Sequence, residues 1–201
     1  MKRRPARADR VKELVLRVLH TRRVRAFLIV SVSVVAVDQL AKWVIRSTMH
    51  LNQTIEVLGE FFTLSFILNS GIAFGMFDSH PSPYKTPLLI FVSLVALGII
   101  LYIFLSLPRN VRLAGVSMGL VFGGAIGNII DRMARGEVVD FLDVDFPDIV
   151  IPALNIHMTR WPTFNIADSC VLVGIVMLLV IIIRHGARSE EGEDAEQETA
   201  A

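Results

Sequence analysis

Four long apolar runs constrain this chain more than any other feature of its sequence. They cover residues 26–45, 88–107, 113–132 and 166–183. At about twenty residues, each is long enough as a helix to cross a hydrocarbon core of roughly 30 Å. Hydrophobic residues make up 53% of the 201 positions, too many for an ordinary soluble domain. The pattern predicts an integral membrane protein with four spanning helices. The first run reads as a retained span rather than a cleaved signal peptide. It continues past a short apolar core into Asp38-Gln39-Leu40-Ala41-Lys42-Trp43, with no Cys close behind it.

The formal net charge of +1 hides a strong segregation. About ten of the twenty Lys and Arg precede Ala26, while a cluster of Glu and Asp follows Ser189. Positive charge in the N-terminal tail, at Arg109 and Arg112, and at Arg184 and Arg188 falls on one side of the four runs. That side is expected to be cytoplasmic. Both termini are then inside, and segments 46–87 and 133–165 are outside. In the basic tail, residues 1–25, Val11, Leu14, Val15, Val18 and Leu19 recur at helical spacing. The tail fits either an amphipathic helix on anionic lipid or a solvated basic arm. No aromatics interleave its charges, which argues against nucleic acid. The acidic tail, residues 186–201, has no apolar face and is expected to be disordered.

The outside segments carry strand signals. Phe61 to Leu68 is aromatic and β-branched, and too short to span. Val138 to Leu142 and Ile149 to Ile151 are strand-like, with Asp143, Asp145 and Asp148 marking turns. Pro81, Pro83 and Pro87 are expected to hold off any helix before the second span. The predicted fold class is therefore membrane all-α with a small β element: four transmembrane helices, an extracytoplasmic sheet or cradle, and a flap-like helix or loop. Within the third run, Gly115, Gly119, Gly123 and Gly127 form one ridge along a helix, suited to close helix packing.

The polar residues inside this apolar frame gather at one level. Counted inward from Ala26 at 1.5 Å per residue, Asp38 lies about 18 Å deep, in the outer half. Asn128, Asp131 and Arg132 end the third run, Asp140 follows it, and Asp168 opens the fourth. Ionisable groups at membrane depth are expensive and mark function. Each position also has a structural reading. Asp38 and Lys42 are spaced i,i+4 and suit an ion pair as well as a substrate contact. Asn165 suits the N-cap of the fourth span, and Asp168 suits its first turn. Arg132 suits either a lipid phosphate or a pair with Asp131. If Asp140 and Asp168 meet, two carboxylates sharing one proton can activate water and protonate a carbonyl oxygen. Five His lie without metal-ligand spacing, and Cys170 has no His near it in sequence, so neither a metal nor a cofactor nor a cysteine nucleophile is expected.

At these residues the chain resembles the bacterial lipoprotein signal peptidases, or signal peptidase II. Five motifs carry the resemblance in order, from Val37 to Ile183. They are Asp38-Gln-x-x-Lys42, Asn69-x-Gly71-x-Ala73-Phe74-Gly75, Gly123-Gly124-Ala125-x-Gly127-Asn128-x-x-Asp131-Arg132, Val138-Val139-Asp140-Phe141 and Phe164-Asn165-x-Ala167-Asp168. The resemblance implies an aspartic peptidase of the inner membrane. Such an enzyme cuts a prolipoprotein just before its diacylglyceryl-modified cysteine and releases the signal peptide. It implies Asp140 and Asp168 as the catalytic pair. It implies Asp38, Lys42, Asn69, Gly71, Gly124, Asn128, Arg132 and Asn165 as residues that bind substrate or support the pair. It also implies a sheet from residues 55–75 and 138–151, a flap at 76–86, a monomer in contact with membrane lipid, and inhibition by globomycin. Residues 143–160 match none of the motifs.

One reading from another class is a small proton-coupled transporter that uses the intramembrane carboxylates Asp38, Asp131 and Asp168 with Lys42 as a relay. The absence of an inverted repeat and of a mid-depth acid in the second run argues against it. A scaffold in which every charge is merely paired is the third. A presenilin-like protease would need a Gly-x-Gly-Asp motif, which Gly127-Asn128-Ile129-Ile130-Asp131 does not supply.

Overall fold

Each apolar run forms one helix, and each helix overshoots its run. A computed structural model describes residues 21–71, 84–106, 112–145, 148–151, 156–158 and 160–200. The spanning helices are α1 (Arg22–Thr48), α2 (Lys85–Ser106), α3 (Arg112–Arg135) and α4 (Ile166–Ala200). All four are long and apolar enough to cross a membrane, which makes this a multi-pass membrane protein. Residues 76–83 of the flap expected at 76–86, most of the basic tail and the Arg109 turn lie outside the described residues, while Lys85 and Thr86 open α2.

Local chemistry sets the helix ends. Thr21 caps α1 by accepting from Val24 N at 3.3 Å. Pro87 does not hold off α2, as the sequence led us to expect. It lies in the first turn of a helix that starts at Lys85, where a missing N–H costs no helical bond. α3 stops at Gly136, whose φ of +82° is open to glycine at little cost and turns the chain directly into a strand. Beyond its apolar run, α4 continues to Ala200. Glu, Ala and Gln are strong helix formers, and no Pro interrupts them.

α3 is the hub. It packs along α1 and α4 over most of its length and supports α2 on a third side. The glycine ridge explains the first contact. A Cβ at Gly115 would strike the backbone carbonyl of Arg23. One at Gly119 would lie 2.7 Å from Val30 Cβ, and one at Gly123 would lie 2.7 Å from Ser31 O. On the α4 side a Cβ at Gly124 would strike the carbonyl of Ala167, the residue before Asp168. At the end of the bundle away from the sheet, Phe104, Ala114, Met118 and Leu178 form a core closed by Phe27. The Phe27 ring stacks on Phe104 at 5.6 Å, and the Arg23 guanidinium lies 3.8 Å from the Phe104 ring centre.

The strands lie between the helices, at the other end of the bundle. β1 (Thr54–Leu58), β2 (Phe62–Asn69) and β3 (Val138–Val144) form an antiparallel sheet in the order β1-β2-β3. Between Leu64↔Leu142 and Ile67↔Asp140, two residues of β2 oppose one of β3, a bulge that re-aims the end of β2. Ile45 of α1 and its C-cap residue Met49 pack with Phe66, Val139 and Phe141, which seats the sheet on α1. The sequence places Ile149–Ile151 in this sheet, and that is corrected. This segment is β4, which pairs with β5 (Ile156–Met158) as a separate hairpin. The free side of β3 is taken instead by Phe164, bridged to Leu142.

The glycine contacts yield a first prediction. Gly119→Leu forces α1 and α3 apart and lowers stability by about 1–3 kcal/mol. Gly98→Leu, where a Cβ meets nothing within 4 Å, leaves stability unchanged. Thermal unfolding of both variants in detergent checks the contrast.

Candidate active site

The polar residues of α1, α3, β2, β3 and α4 converge at the sheet end of the bundle. Their arrangement has two layers. The deeper is ionic. Lys42 Nζ lies 2.8 Å from Asp38 Oδ2 and 3.0 Å from Asp131 Oδ2, and donates to Asn128 Oδ1 at 3.0 Å. Its three donors are thus all used. Arg135 Nη1 meets Asp131 Oδ1 at 2.6 Å. Two carboxylates and two cations leave this layer neutral. Asp38, Lys42 and Asp131 are all fully buried, so the pairing must offset a large desolvation cost. Gln39 Nε2 lies within 3.2 Å of Asp38, of Asp131 and of Gly127 O. The two carboxylates also hold backbone. Asp38 Oδ1 accepts from Ala167 N at 3.0 Å and so fixes α4. Asp131 Oδ2 accepts from Val139 N at 3.2 Å and so fixes β3.

The second layer is made of amides. Asn165 precedes α4 as its N-cap. Its Oδ1 accepts from Asp168 N at 2.9 Å, and Asp168 Oδ2 accepts from Asn165 N at 3.2 Å, a reciprocal capping box. With its oxygen committed to the helix, the Asn165 amide can aim only N–H groups outward. They donate to Asp140 Oδ1 at 2.7 Å and to Asn128 Oδ1 at 3.2 Å. Asn69 is held in the same way. Its Oδ1 accepts from Gly71 N at 2.9 Å, and its Nδ2 donates to Asp140 Oδ2 at 2.8 Å. Asn128, oriented by Lys42, donates to Asp168 Oδ1 at 2.8 Å. These networks assign all three amide orientations. Asp140 and Asp168 are therefore joined through Asn165 and Asn128.

Asp140 is 3% exposed. Burial pushes its carboxyl up to about 7, and the neighbouring Asp168 charge pushes the same way. The Asn69 and Asn165 hydrogen bonds and the Lys42 charge oppose the shift without cancelling it. Arg132 faces Asp168, Asp140 and Asp131, and its Nη2 approaches Gly71 O at 3.4 Å.

The sequence names most of these residues. Asp38 and Lys42 form the expected i,i+4 ion pair. Asp131 forms its ion pairs with Lys42 and Arg135, and Arg132, for which the sequence offers a lipid phosphate or Asp131, feels Asp131 only as a nearby charge. Gly124 contributes no side chain, and its place is the α3–α4 contact beside Asp168. Gln39 and Arg135 were missed. Each had a signal: Gln39 is a lone amide in an apolar run, and Arg135 stands i,i+4 from Asp131. Among the described residues, no three His, Cys, Asp or Glu side chains converge to hold a metal ion.

The ionic layer yields a prediction of relative size. Lys42→Met leaves Asp38 and Asp131 buried with one cation fewer and costs about 3–5 kcal/mol. Arg135→Ala costs less, because the Arg135 side chain is 28% exposed and water screens its loss. Unfolding midpoints of the two variants should rank in that order.

Comparison with known proteins places this geometry in a family. The family model for signal peptidase (SPase) II matches residues 30–184. The lipoprotein signal peptidase of Geobacter metallireducens is 38% identical over 167 residues, covering 83% of this chain and 96% of that protein. That of Syntrophotalea carbinolica is 37% identical over 166 residues, covering 83% and 96%. Among solved structures, a bacterial membrane enzyme determined by the in meso method at 2.3 Å superposes with a TM-score of 0.66. It is 28% identical and covers 81% of this chain and 90% of that one. The chain thus belongs to the signal peptidase II family of aspartic peptidases.

Proposed function

We propose that this protein is a prolipoprotein signal peptidase in which Asp140 and Asp168 are the catalytic pair. The bond cut is the one just before a diacylglyceryl-modified cysteine. The observation that carries the reading is Asp140 itself: a buried carboxyl raised to about 7, held by two amides and coupled to the charge of a second, half-buried acid, Asp168. Burial and the Asp168 charge hold a proton on Asp140 up to about pH 7, and in a coupled pair that proton belongs to both carboxyls rather than to either residue.

The chemistry follows from one proton on two carboxyls. The ionised carboxyl takes a proton from water as the water oxygen attacks the scissile carbonyl carbon. The protonated carboxyl gives its proton to the carbonyl oxygen, forming a gem-diol. Return of a proton to the amide nitrogen lets the C–N bond break. The products are a signal peptide with a new carboxyl terminus and a lipidated cysteine with a free amino group. Asn165 and Asn69 hold Asp140 in place, and Asn128 and the α4 N-terminus hold Asp168. Lys42 acts on the pair through Asn128, and Asp38 through Ala167. Gly71, Gly124 and Arg132 shape the site, and Arg132 balances the remaining charge.

Membrane position supports the same substrate. Trp43, Tyr84 and Trp161 are exposed near the sheet end of the bundle, where amphipathic rings mark a membrane–water interface. A lipidated cysteine stays at that level, because each buried CH₂ holds it by about 0.8 kcal/mol. On this reading both termini are cytoplasmic in the inner membrane, and the pair lies at the outer leaflet boundary. The enzyme acts as a monomer on prolipoproteins and is blocked by globomycin. A proton-transport path would need carboxylates spread across the bilayer, whereas Asp38, Asp131, Asp140 and Asp168 share one network.

Asp140→Asn and Asp168→Asn are each expected to lower cleavage of a diacylglyceryl prolipoprotein by roughly 10³-fold or more. Wild-type turnover in either purified variant contradicts the assignment. The pH profile adds a signed test. Activity needs one proton on the pair, so it should fall as pH rises through about 7. Asn69→Ala removes a hydrogen bond that favours ionised Asp140, so its carboxyl rises and the falling limb moves to higher pH.

A further inference from the structure

Residues 143–160 match no motif of the family pattern, yet Asp143 and Arg160 at their two ends meet each other. The chain leaves β3 at Val144, passes through the β4–β5 hairpin, and returns along β3 in the opposite direction. The return is pinned by backbone: Trp161 N to Val144 O at 3.3 Å, Phe164 N to Leu142 O at 3.0 Å, and Phe141 N and Leu142 N to Phe164 O at 2.9 and 2.7 Å. It ends at Asn165, whose amide holds Asp140. Pro162 has no N–H to add to this ladder. The far end of the return therefore has one long backbone bond, Trp161 N to Val144 O, and side chains reinforce it.

Those side chains converge on Asp143. Arg160 Nε donates to Asp143 Oδ1 at 3.1 Å, and Arg160 Nη2 reaches Glu60 O at 3.3 Å in the β1–β2 turn. Asp143 Oδ2 accepts from Thr63 Oγ1 at 3.1 Å and lies 3.3 Å from Ser65 Oγ, which itself bonds Thr54 Oγ1 at 2.9 Å. Thr63 and Ser65 are each 3% exposed. One carboxylate thus ties Arg160 to β2, with Thr54 of β1 one bond further. Asp143 stands three residues beyond Asp140, and Arg160 five residues before Asn165.

From this geometry we infer that Arg160 and Asp143 are positioning residues: their clamp sets the register between β3 and the return segment, and so the placement of Asn165 against Asp140. The inference rests on Asp140 and Asp168 being the catalytic pair. A plain surface ion pair would contribute little, since the Arg160 side chain is 42% exposed. Here its effect is geometric. The hairpin between the two clamp residues is a separate sheet, and the clamp ties the return segment to β2 and β3. Misplacement of a catalytic group by a fraction of an ångström lowers turnover without removing any substrate contact.

The test uses the full-length enzyme in detergent with a diacylglyceryl prolipoprotein, and reads kcat, KM and the pH profile. Arg160→Ala is expected to lower kcat roughly three- to tenfold with KM little changed. The charged groups facing Asp140 are Asp168 on α4, Lys42 on α1 and Arg132 on α3, and none is altered. A looser Asn165 bond favours the neutral carboxyl, so the falling limb should move to higher pH. Arg160→Lys keeps the charge and should restore most of the rate, which also covers the case in which the alanine variant fails to fold. Asp143→Asn combined with Arg160→Ala should be no worse than the more damaging of the two single variants. Glu60→Ala should match wild type, since the clamp uses the Glu60 backbone carbonyl. Wild-type kcat and pH profile in Arg160→Ala overturn the inference, as does a loss that Arg160→Lys does not recover. Asp140→Asn in parallel separates the two levels. If it is inactive while Arg160→Ala is normal, only the clamp fails. If it is active, the catalytic assignment fails with it.

Discussion

One ammonium group holds the functional end of this protein together. Lys42 Nζ is shared by Asp38, Asp131 and Asn128, and so joins α1 to α3 at the depth where the sheet begins. Each partner then orients something else. Asp38 fixes the start of α4 through Ala167 N, Asp131 fixes the start of β3 through Val139 N, and Asn128 holds Asp168. The segments that carry Asp140 and Asp168 are each reached from this lysine in two bonds. The cluster is costly to bury, and it persists because no member is left unpaired. A bundle without it would keep its glycine-ridge packing and lose the geometry of its site.

The amide layer solves a problem of aim. A free asparagine can turn either its oxygen or its nitrogen toward a carboxylate, and only the nitrogen is attractive. Asn165 commits its oxygen to the first turn of α4, and Asn69 commits its oxygen to Gly71 N, so both present N–H groups to Asp140. Ordinary capping and turn chemistry is thereby turned into site preorganisation. These amides favour ionised Asp140, while burial and Asp168 favour the neutral form, and the balance lies near neutrality.

The sequence reveals spans more readily than sites because the two rest on different ranges of interaction. Twenty apolar residues in succession state a helix and its environment locally, and all four helices appear where the runs lie. The i,i+4 pair Asp38–Lys42 is legible for the same reason. Contacts between elements are not. That Asp131 meets Lys42 and Arg135 more closely than Arg132 depends on how α3 is rotated against α1, and the glycine ridge sets that rotation. The bulge in β2 and the loss of Ile149–Ile151 to its own hairpin depend on which edge of β3 is already taken by Phe164. Ordered motifs mark Asn165 and Asp140 as belonging to one site. That they touch at 2.7 Å comes from the return of residues 160–165 along β3, which nothing in their spacing announces.

The proposed catalysis requires that buried Asp140 and half-buried Asp168 share one proton near neutral pH. The most direct measurement is an infrared titration of the Asp140 carboxyl, isotopically labelled, in wild type and in Asp168→Asn. The account predicts a wild-type midpoint near 7 and a lower midpoint once the Asp168 charge is gone. A midpoint at the ordinary carboxylate value of about 4, unmoved by Asp168→Asn, would contradict it.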